Sequence, residues 1–292
     1  MPFESFVLAH ATGIRLGAFL GVFVAMAAWE LAAPRRTLTA SKARRWTSNL
    51  VLVVLNSVLL RVLFPAAAVG VAVFAQARGW GVFDYLQLPY IVAVALAVVV
   101  LDLAIYLQHV IFHAIPALWR LHRVHHADPD IDVTTGARFH PVEIVLSMLI
   151  KFAVIVALGP PVVGVVLFEV LLNATSMFNH SNVRMPARLD RVLRWLVVTP
   201  DMHRVHHSVA EDETNSNFGF NLPWWDRLFG TYRDQPRLGH TAMTIGITTF
   251  PDVRQCTGLR GMLAMPFVGR ITAYAINRRS WEPPGERTDD RP

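Results

Sequence analysis

The 292-residue sequence is poor in cysteine, lysine and charge, and each shortage removes a class of function. Cys256 is its single cysteine, so the chain can build no intrachain disulfide, thiolate zinc site or iron–sulfur motif. Charged residues make up 16%, where about 25% is usual for soluble domains. The apolar share of 53% leaves too little polar surface to cover a water-soluble fold. Disorder, a secreted disulfide scaffold and most soluble enzymes are excluded on these grounds. Lysine is confined to Lys42 and Lys151, so arginine carries nearly all the basic charge behind the net +6. That bias matches GC-rich coding and points to a bacterial source. The positive charge fits anchoring beside anionic lipid better than nucleic-acid binding, and no nucleic-acid partner is expected. No glycine-rich dinucleotide fingerprint and no His-Glu-x-x-His zinc motif occurs either.

What the sequence does have is long apolar runs. Residues 14–33 suffice to cross a bilayer core of about 30 Å, and no basic segment precedes them as in a signal peptide. Residues 49–77 form a second span interrupted by Arg61 and Pro65, which predicts a kink. Residues 88–115 form a third, carrying Asp102, His109 and His113. Residues 141–178 are apolar but broken at Gly159-Pro160-Pro161, which predicts a hairpin of two arms. Basic residues crowd the link after the first span (Arg35, Arg36, Lys42, Arg44, Arg45) and the chain after Asn179. Both are therefore predicted to face the cytoplasm. Because the hairpin goes in and returns, residues 114–140 fall on that same side. Lys151 and Glu169 lie equally far from Pro160 along the two arms, and are expected to pair at equal depth.

Histidine is the other abundance. Of 12 histidines, ten fall between His109 and His207, and the pentapeptide His-Arg-Val-His-His occurs twice, at 122–126 and 203–207. His109 and His113 share one helix face, as do the three histidines of each repeat, and Asp102 lies near the first stripe. Thr199 and Pro200 predict the start of the second repeat's helix. Imidazole ligates zinc, copper, iron and nickel, and ten are too many for one ion of about four protein ligands. Two ions, at about five each, fit better. The candidate ligands are His109, His113, His122, His125, His126, His140, His180, His203, His206 and His207. Asp102, Asp201, Asp226 and Asn179 are candidates to orient the imidazoles through their second nitrogen. His10 and His240 read as ordinary packed or interface residues, and pH sensing is the bland alternative for the cluster. Trp224 and Trp225 are expected at the membrane interface, and residues 259–276 to lie along it.

At these motifs the chain resembles the fatty acid hydroxylase/sterol desaturase superfamily of membrane di-iron enzymes. Three histidine boxes carry the likeness: His109 with His113, His122-Arg-Val-His125-His126, and His203-Arg-Val-His206-His207. Asp102, the string Phe139-His140-Pro141-Val142-Glu143, His180, Asn217-Phe218-Gly219 and the segment from Trp224 to Thr231 extend it over about residues 88–235. Some members have a second histidine four residues beyond the position of His180; here that residue is Arg184, which leaves His140 as the tenth ligand. The resemblance implies two iron ions held by imidazole, O2 as co-substrate, and attack on an unactivated C–H bond of a lipid. With no cofactor motif in the chain, electrons are expected from a separate electron-transfer protein at the basic face.

The expectation is thus an all-α, multi-pass membrane enzyme whose helical cap carries a histidine-rich dimetal site. It is expected as a single membrane-integral domain over residues 1–292, with the hydroxylase core at 88–235 and a cytoplasmic, partly interfacial tail at 236–292. Hydroxylation is preferred to desaturation. The expected setting is a bacterial inner membrane with the boxes facing the cytoplasm. The alternatives are a metal transporter, which would place polar ligands near the bilayer midplane, and a zinc-dependent membrane hydrolase, which would want a glutamate base beside its histidines.

Overall fold

The computed structural model describes residues 2–250, 252–269 and 276, and is helical, with no β-strand among the described residues. Its first eight helices are α1 (Pro2–Ala32), α2 (Lys42–Leu63), α3 (Ala67–Ala77), α4 (Val82–Tyr85), α5 (Tyr90–Ala114), α6 (Pro116–His126), α7 (Pro141–Leu158) and α8 (Val162–Asn179). Shorter helices come after them: α9 (Ala187–Leu193), α10 (Pro200–His206), α11 (Glu211–Thr214), α12 (Trp224–Leu228), α13 (Gly239–Ala242), α14 (Val253–Thr257) and α15 (Leu259–Ala264).

Five stretches are long and apolar enough to cross a membrane: α1, the unit from α2 to α4, α5, α7 and α8. The chain is a multi-pass membrane protein. α1 starts at Pro2 rather than near Ile14, because Glu4 and His10 only punctuate an apolar run that contains no proline after its first residue. Pro65 divides the second unit between α2 and α3, as its missing N–H requires. The two arms α7 and α8 are 18 residues each. Gly159 ends α7 in the left-handed conformation, at φ 62°. A Cβ there would lie 2.0 Å from the Trp80 carbonyl oxygen, so glycine is required by both conformation and space.

α8 is the central strut and packs on α1 and α5. Its Gly164 sits where a Cβ would come within 2.9 Å of Ala97 Cβ, the small-residue contact that lets membrane helices approach closely. Leu101, Ile155, Val165 and Phe168 form the shared core with Val7 and Ala11. The opposite faces are apolar and uncovered, with Val62 70% and Ile91 79% exposed, as expected where lipid is the solvent. Inside the bundle Lys151 Nζ does lie 3.3 Å from Glu169 Oε1, and Arg15, from α1, binds the other carboxylate oxygen at 2.6 Å.

A polar cap covers one end of the bundle. Arg45, in the first turn of α2, is fully buried and binds Asp128 at 2.6 Å and Asp132 at 2.5 Å. Asp130 accepts from the Thr39 and Ala40 amides at 2.9 and 2.8 Å, fastening the α1–α2 link to the chain beyond α6. Met262 and Met265 pack on Leu52, Trp119 and Val124. The described part of 259–276 packs on the cap through these methionines while Phe267 stays 71% exposed; residues 270–275 lie outside the described residues.

Candidate metal centre

Each box is set by local structure. α6 and α10 both begin with proline at the first turn, and Thr199 Oγ1 caps α10 by accepting from Met202 N at 3.3 Å. Val124 and Val205, at the middle of each repeat, are fully buried. On a 3.6-residue helix this turns the flanking histidines to the opposite side. α5 delivers His109 and His113, and His180 caps the C-terminal end of α8.

Nine histidines assemble into two adjacent groups. His109, His113, His122, His126 and His206 form one; His125, His180, His203 and His207 form the other. Within each, the candidate ligand nitrogens lie within 4.8 Å of one another. The two repeats cross over: the first gives His122 and His126 to the first group and His125 to the second. The second repeat gives His203 and His207 to the second group and His206 to the first. The groups touch, with the His126 and His207 rings stacked at 4.6 Å between centroids.

Hydrogen bonds fix the tautomers. His109 Nδ1 donates to the Phe218 carbonyl, His180 Nδ1 to the Ser176 carbonyl and His206 Nδ1 to the Ser216 carbonyl, each at 2.7 Å. His113 Nδ1 donates to Asn215 Oδ1 at 3.1 Å, and His122 Nδ1 to Glu143 Oε1 at 2.6 Å. The Nε2 atoms of these rings then carry lone pairs rather than protons. His206 Nε2 nevertheless lies 3.0 Å from His109 Nε2, and His180 Nε2 lies 3.0 Å from the Nε2 atoms of both His125 and His203. For His109 and His206, both held at Nδ1 by carbonyls, two lone pairs face each other, and at this distance they repel unless a cation lies between them. Two nitrogens bound at right angles to one ion at about 2.1 Å each would be roughly 3 Å apart, so the spacing fits shared metal ligands. Both His207 nitrogens, and His122 Nε2, are buried without a hydrogen-bond partner. Burial pushes the His122 and His180 imidazoles down to about 3, and those of His125, His126, His203, His206 and His207 well below 6.5. All are neutral at pH 7, the state that ligates metal.

The structure does not bring His140 to either group. A histidine before Pro141 is placed to cap α7, and its Nδ1 accepts from Val142 N at 3.2 Å while Nε2 faces the Leu263 carbonyl at 3.3 Å. The four polar candidates also act differently from expectation, because none hydrogen-bonds a clustered imidazole. Asp102 accepts from Trp225 Nε1 at 2.8 Å and from the Asn221 and Leu222 amides; Asn179 Nδ2 donates to the Phe220 carbonyl. Asp201 binds Arg35 and Arg204, tying α10 to the α1–α2 link. Asp226 accepts from the Phe218 and Gly219 amides at 2.7 and 2.9 Å, and so aims the carbonyl that His109 uses from one bond away. A Cβ on Gly219 would come 2.7 Å from Asp226 Oδ2, which explains the glycine that ends the Asn-Phe-Gly string. Trp224 is 44% exposed beside Trp195, whereas Trp225 is held by Asp102.

Reasoning from sequence missed Glu143, Asn215 and the three carbonyls as imidazole partners. Ser176, four residues before His180 at a helix end, carries a readable signal; the carbonyls of Ser216 and Phe218 carry none. A cavity of about 680 Å3 opens from the His109 and His122 edge into the helix bundle, walled near the histidines by Phe112, Phe139 and Phe220.

Residues 94–231 match the fatty acid hydroxylase family. The matched segment is a little under half of the chain. It contains all nine clustered histidines and Glu143. Among curated proteins the chain is 31% identical over 197 residues to an ornithine lipid hydroxylase of Rhizobium tropici, covering 67% of this chain and 56% of that protein. It is 28% identical over 153 residues to an alkylglycerol monooxygenase of Xenopus tropicalis, covering 51% and 32%. A fatty acid hydroxylase of a Lecanicillium species is 29% identical over 149 residues, covering 47% and 40%. The chain thus spans between a third and little more than half of these relatives' lengths. No solved structure matches it.

Proposed function

We propose that the protein is a di-iron lipid hydroxylase that inserts one oxygen atom of O2 into an unactivated C–H bond. The observation that carries this reading is the pair of touching, fully buried all-histidine groups at the end of a cavity that enters the membrane-spanning helices. Iron bound there would supply the oxidising chemistry, with O2, two electrons and two protons yielding the alcohol and water. The chain's own part is positional. Carbonyls of Ser176, Ser216 and Phe218 and the Glu143 carboxylate hold a proton on Nδ1, which keeps each Nε2 free for metal. Phe112, Phe139 and Phe220 keep the reacting end of the cavity apolar and exclude water.

The substrate is a lipid with an acyl or ether chain, as the relatives' names suggest, rather than a small polar molecule. Electrons come from a separate electron-transfer protein. The cap faces the cytoplasm of a bacterial inner membrane, an orientation that the basic link residues support. In this reading residues 88–235 are the catalytic core of a single membrane-integral domain. Desaturation shares the first hydrogen abstraction and differs only in the second step. A transporter is disfavoured because the imidazoles gather in the cap rather than at mid-span. A zinc hydrolase is disfavoured because Glu143, the carboxylate nearest the site, is engaged by His122.

Metal analysis of anaerobically purified protein tests the reading. About two irons per chain are expected, falling to about one when His206 or His203 becomes alanine. A single tightly held zinc, or iron content indifferent to both substitutions, would overturn it. Comparing lipids of a deletion strain and its complemented form then identifies the product.

A further inference from the structure

The same cavity has a second, charged region far from the histidines. Arg15, Arg61, Lys151 and Glu169 line it. Lys151 is ten residues beyond Pro141 and Glu169 ten before Asn179, so both lie about 15 Å along their arms from the ends near the histidines. Three cations thus face one available carboxylate, because Glu143, the other acid lining the cavity, is bound to His122. Glu169 is shared between Arg15 and Lys151. Arg61 is exposed to the cavity and has no hydrogen-bond or ion-pair partner among the described residues. It lies one turn before Phe64, whose ring packs edge-on against Phe152 at 5.2 Å, which sets it beside the turn of Lys151. Unpaired cations within a membrane span are costly and mark a functional site. An excess of positive charge is relieved by an anion, and the apolar remainder of this lipid-sized cavity suits an amphiphile that carries one.

We propose that this region binds the carboxylate or phosphate of the lipid that enters the cavity. Arg61 and Lys151 contact the anion, and the Arg15–Glu169 pair holds Lys151 in place. The oxidised position is then measured from the anionic group. Glu143, which touches His122, lies eight residues before Lys151, about 12 Å along α7. The regiochemistry rests on the hydroxylase reading; anion binding does not.

Equilibrium binding to the purified full-length protein in neutral nanodiscs tests the site without turnover, in metal-free and iron-loaded forms. The probes are radiolabelled palmitate, hexadecyl phosphate and hexadecanol. Both anions should bind about tenfold or more tightly than the alcohol, the scale of a charge-assisted hydrogen bond. Arg61→Met removes no hydrogen bond or ion pair of the described residues and should abolish the preference, as should Lys151→Met. Arg78→Met, on the same unit but outside the cavity, should leave it intact. Equal affinity for palmitate and hexadecanol in the wild type, or a preference that survives Arg61→Met, would overturn the site. Displacement of palmitate by equimolar inorganic phosphate would overturn its assignment to a lipid. Loss of the preference in Arg61→Met with iron content unchanged separates this proposal from the metal reading.

Discussion

In α1 only Val7, Ala11 and Glu30 of 31 residues are buried, whereas every residue from Leu121 to Asp128 in the cap is buried. The contrast reflects two solvents. Lipid accepts Val62 and Ile91 without any protein cover, and helical hydrogen bonds already satisfy the backbone there. The cap must exclude water with its own atoms, so each polar group it buries needs a partner: Asp128 for Arg45, a carbonyl for His206. The membrane part tolerates change along its surface; the cap is an interlocked network in which one missing partner leaves a buried charge or lone pair.

Acid should separate the two regions most widely. With metal removed, the imidazoles of His122, His125, His126, His180, His203, His206 and His207 are buried and neutral, those of His122 and His180 pushed down to about 3. Between their unfolded value of about 6.5 and these folded values, the unfolded chain binds more protons than the folded one. The cap's stability is therefore complete above that window and is lost as pH falls through it. Trp119 is a local reporter, its ring 4.8 Å from His113 and 5.2 Å from His126. Its near-ultraviolet signal, isolated by difference with Trp119→Phe, should vanish by about pH 4 while far-ultraviolet helicity persists in the spans. Bound metal should move the transition to lower pH. A Trp119 signal unchanged at that pH in the metal-free protein would contradict a neutral buried cluster.

A pair of substitutions sharpens the contrast in energy. Arg45→Met leaves Asp132 buried without its guanidinium, and Asp128 with Arg138 at 3.7 Å in place of Arg45 at 2.6 Å. It should cost about 3–5 kcal/mol, the usual penalty for breaking a buried ion pair from one side. Val62→Ala, on the lipid-facing surface, should change stability by no more than about 0.5 kcal/mol. Reversible unfolding in mixed micelles measures both. Comparable losses would mean that the cap is no more tightly coupled than the lipid-facing surface.

The same contrast explains which features are legible in the sequence. The spans are, because a bilayer demands long apolar runs, and so are Lys151 and Glu169, because equal distance from one turn sets equal depth. Arg15 is not, since its carboxylate partner is 154 residues away on a helix whose rotation no pattern reports. The boxes are legible from repetition, but not their crossing. Positions i, i+3 and i+4 share a face, and only packing of α6 against α10 and α5 decides that His125 parts from His122 and His126. His140 looks like a ligand because it stands among histidines in the string; the proline after it makes it a cap. Asp201 and Asn179 look like imidazole partners because carboxylates and amides are visible in sequence. The carbonyls of Phe218 and Ser216 hold the rings instead, and every residue has a carbonyl.

A more local effect is expected from Glu143, the one carboxylate among the described residues that hydrogen-bonds a clustered imidazole. Glu143→Gln keeps an oxygen to accept from His122 Nδ1 but cannot take on the negative charge that a carboxylate would carry opposite a metal-bound imidazole, which makes the ring a stronger base. Only the five-histidine group contains His122. One ion should therefore bind about tenfold to a hundredfold more weakly, while the other, held by His125, His180, His203 and His207, is unaffected. Chelator titration of the loaded protein should then show two separated release steps where the wild type shows closer ones. Equal weakening of both ions would mean that Glu143 acts by stabilising the cap as a whole. That outcome would make the two groups one electrostatic unit, which is the reverse of the separation their hydrogen bonds imply.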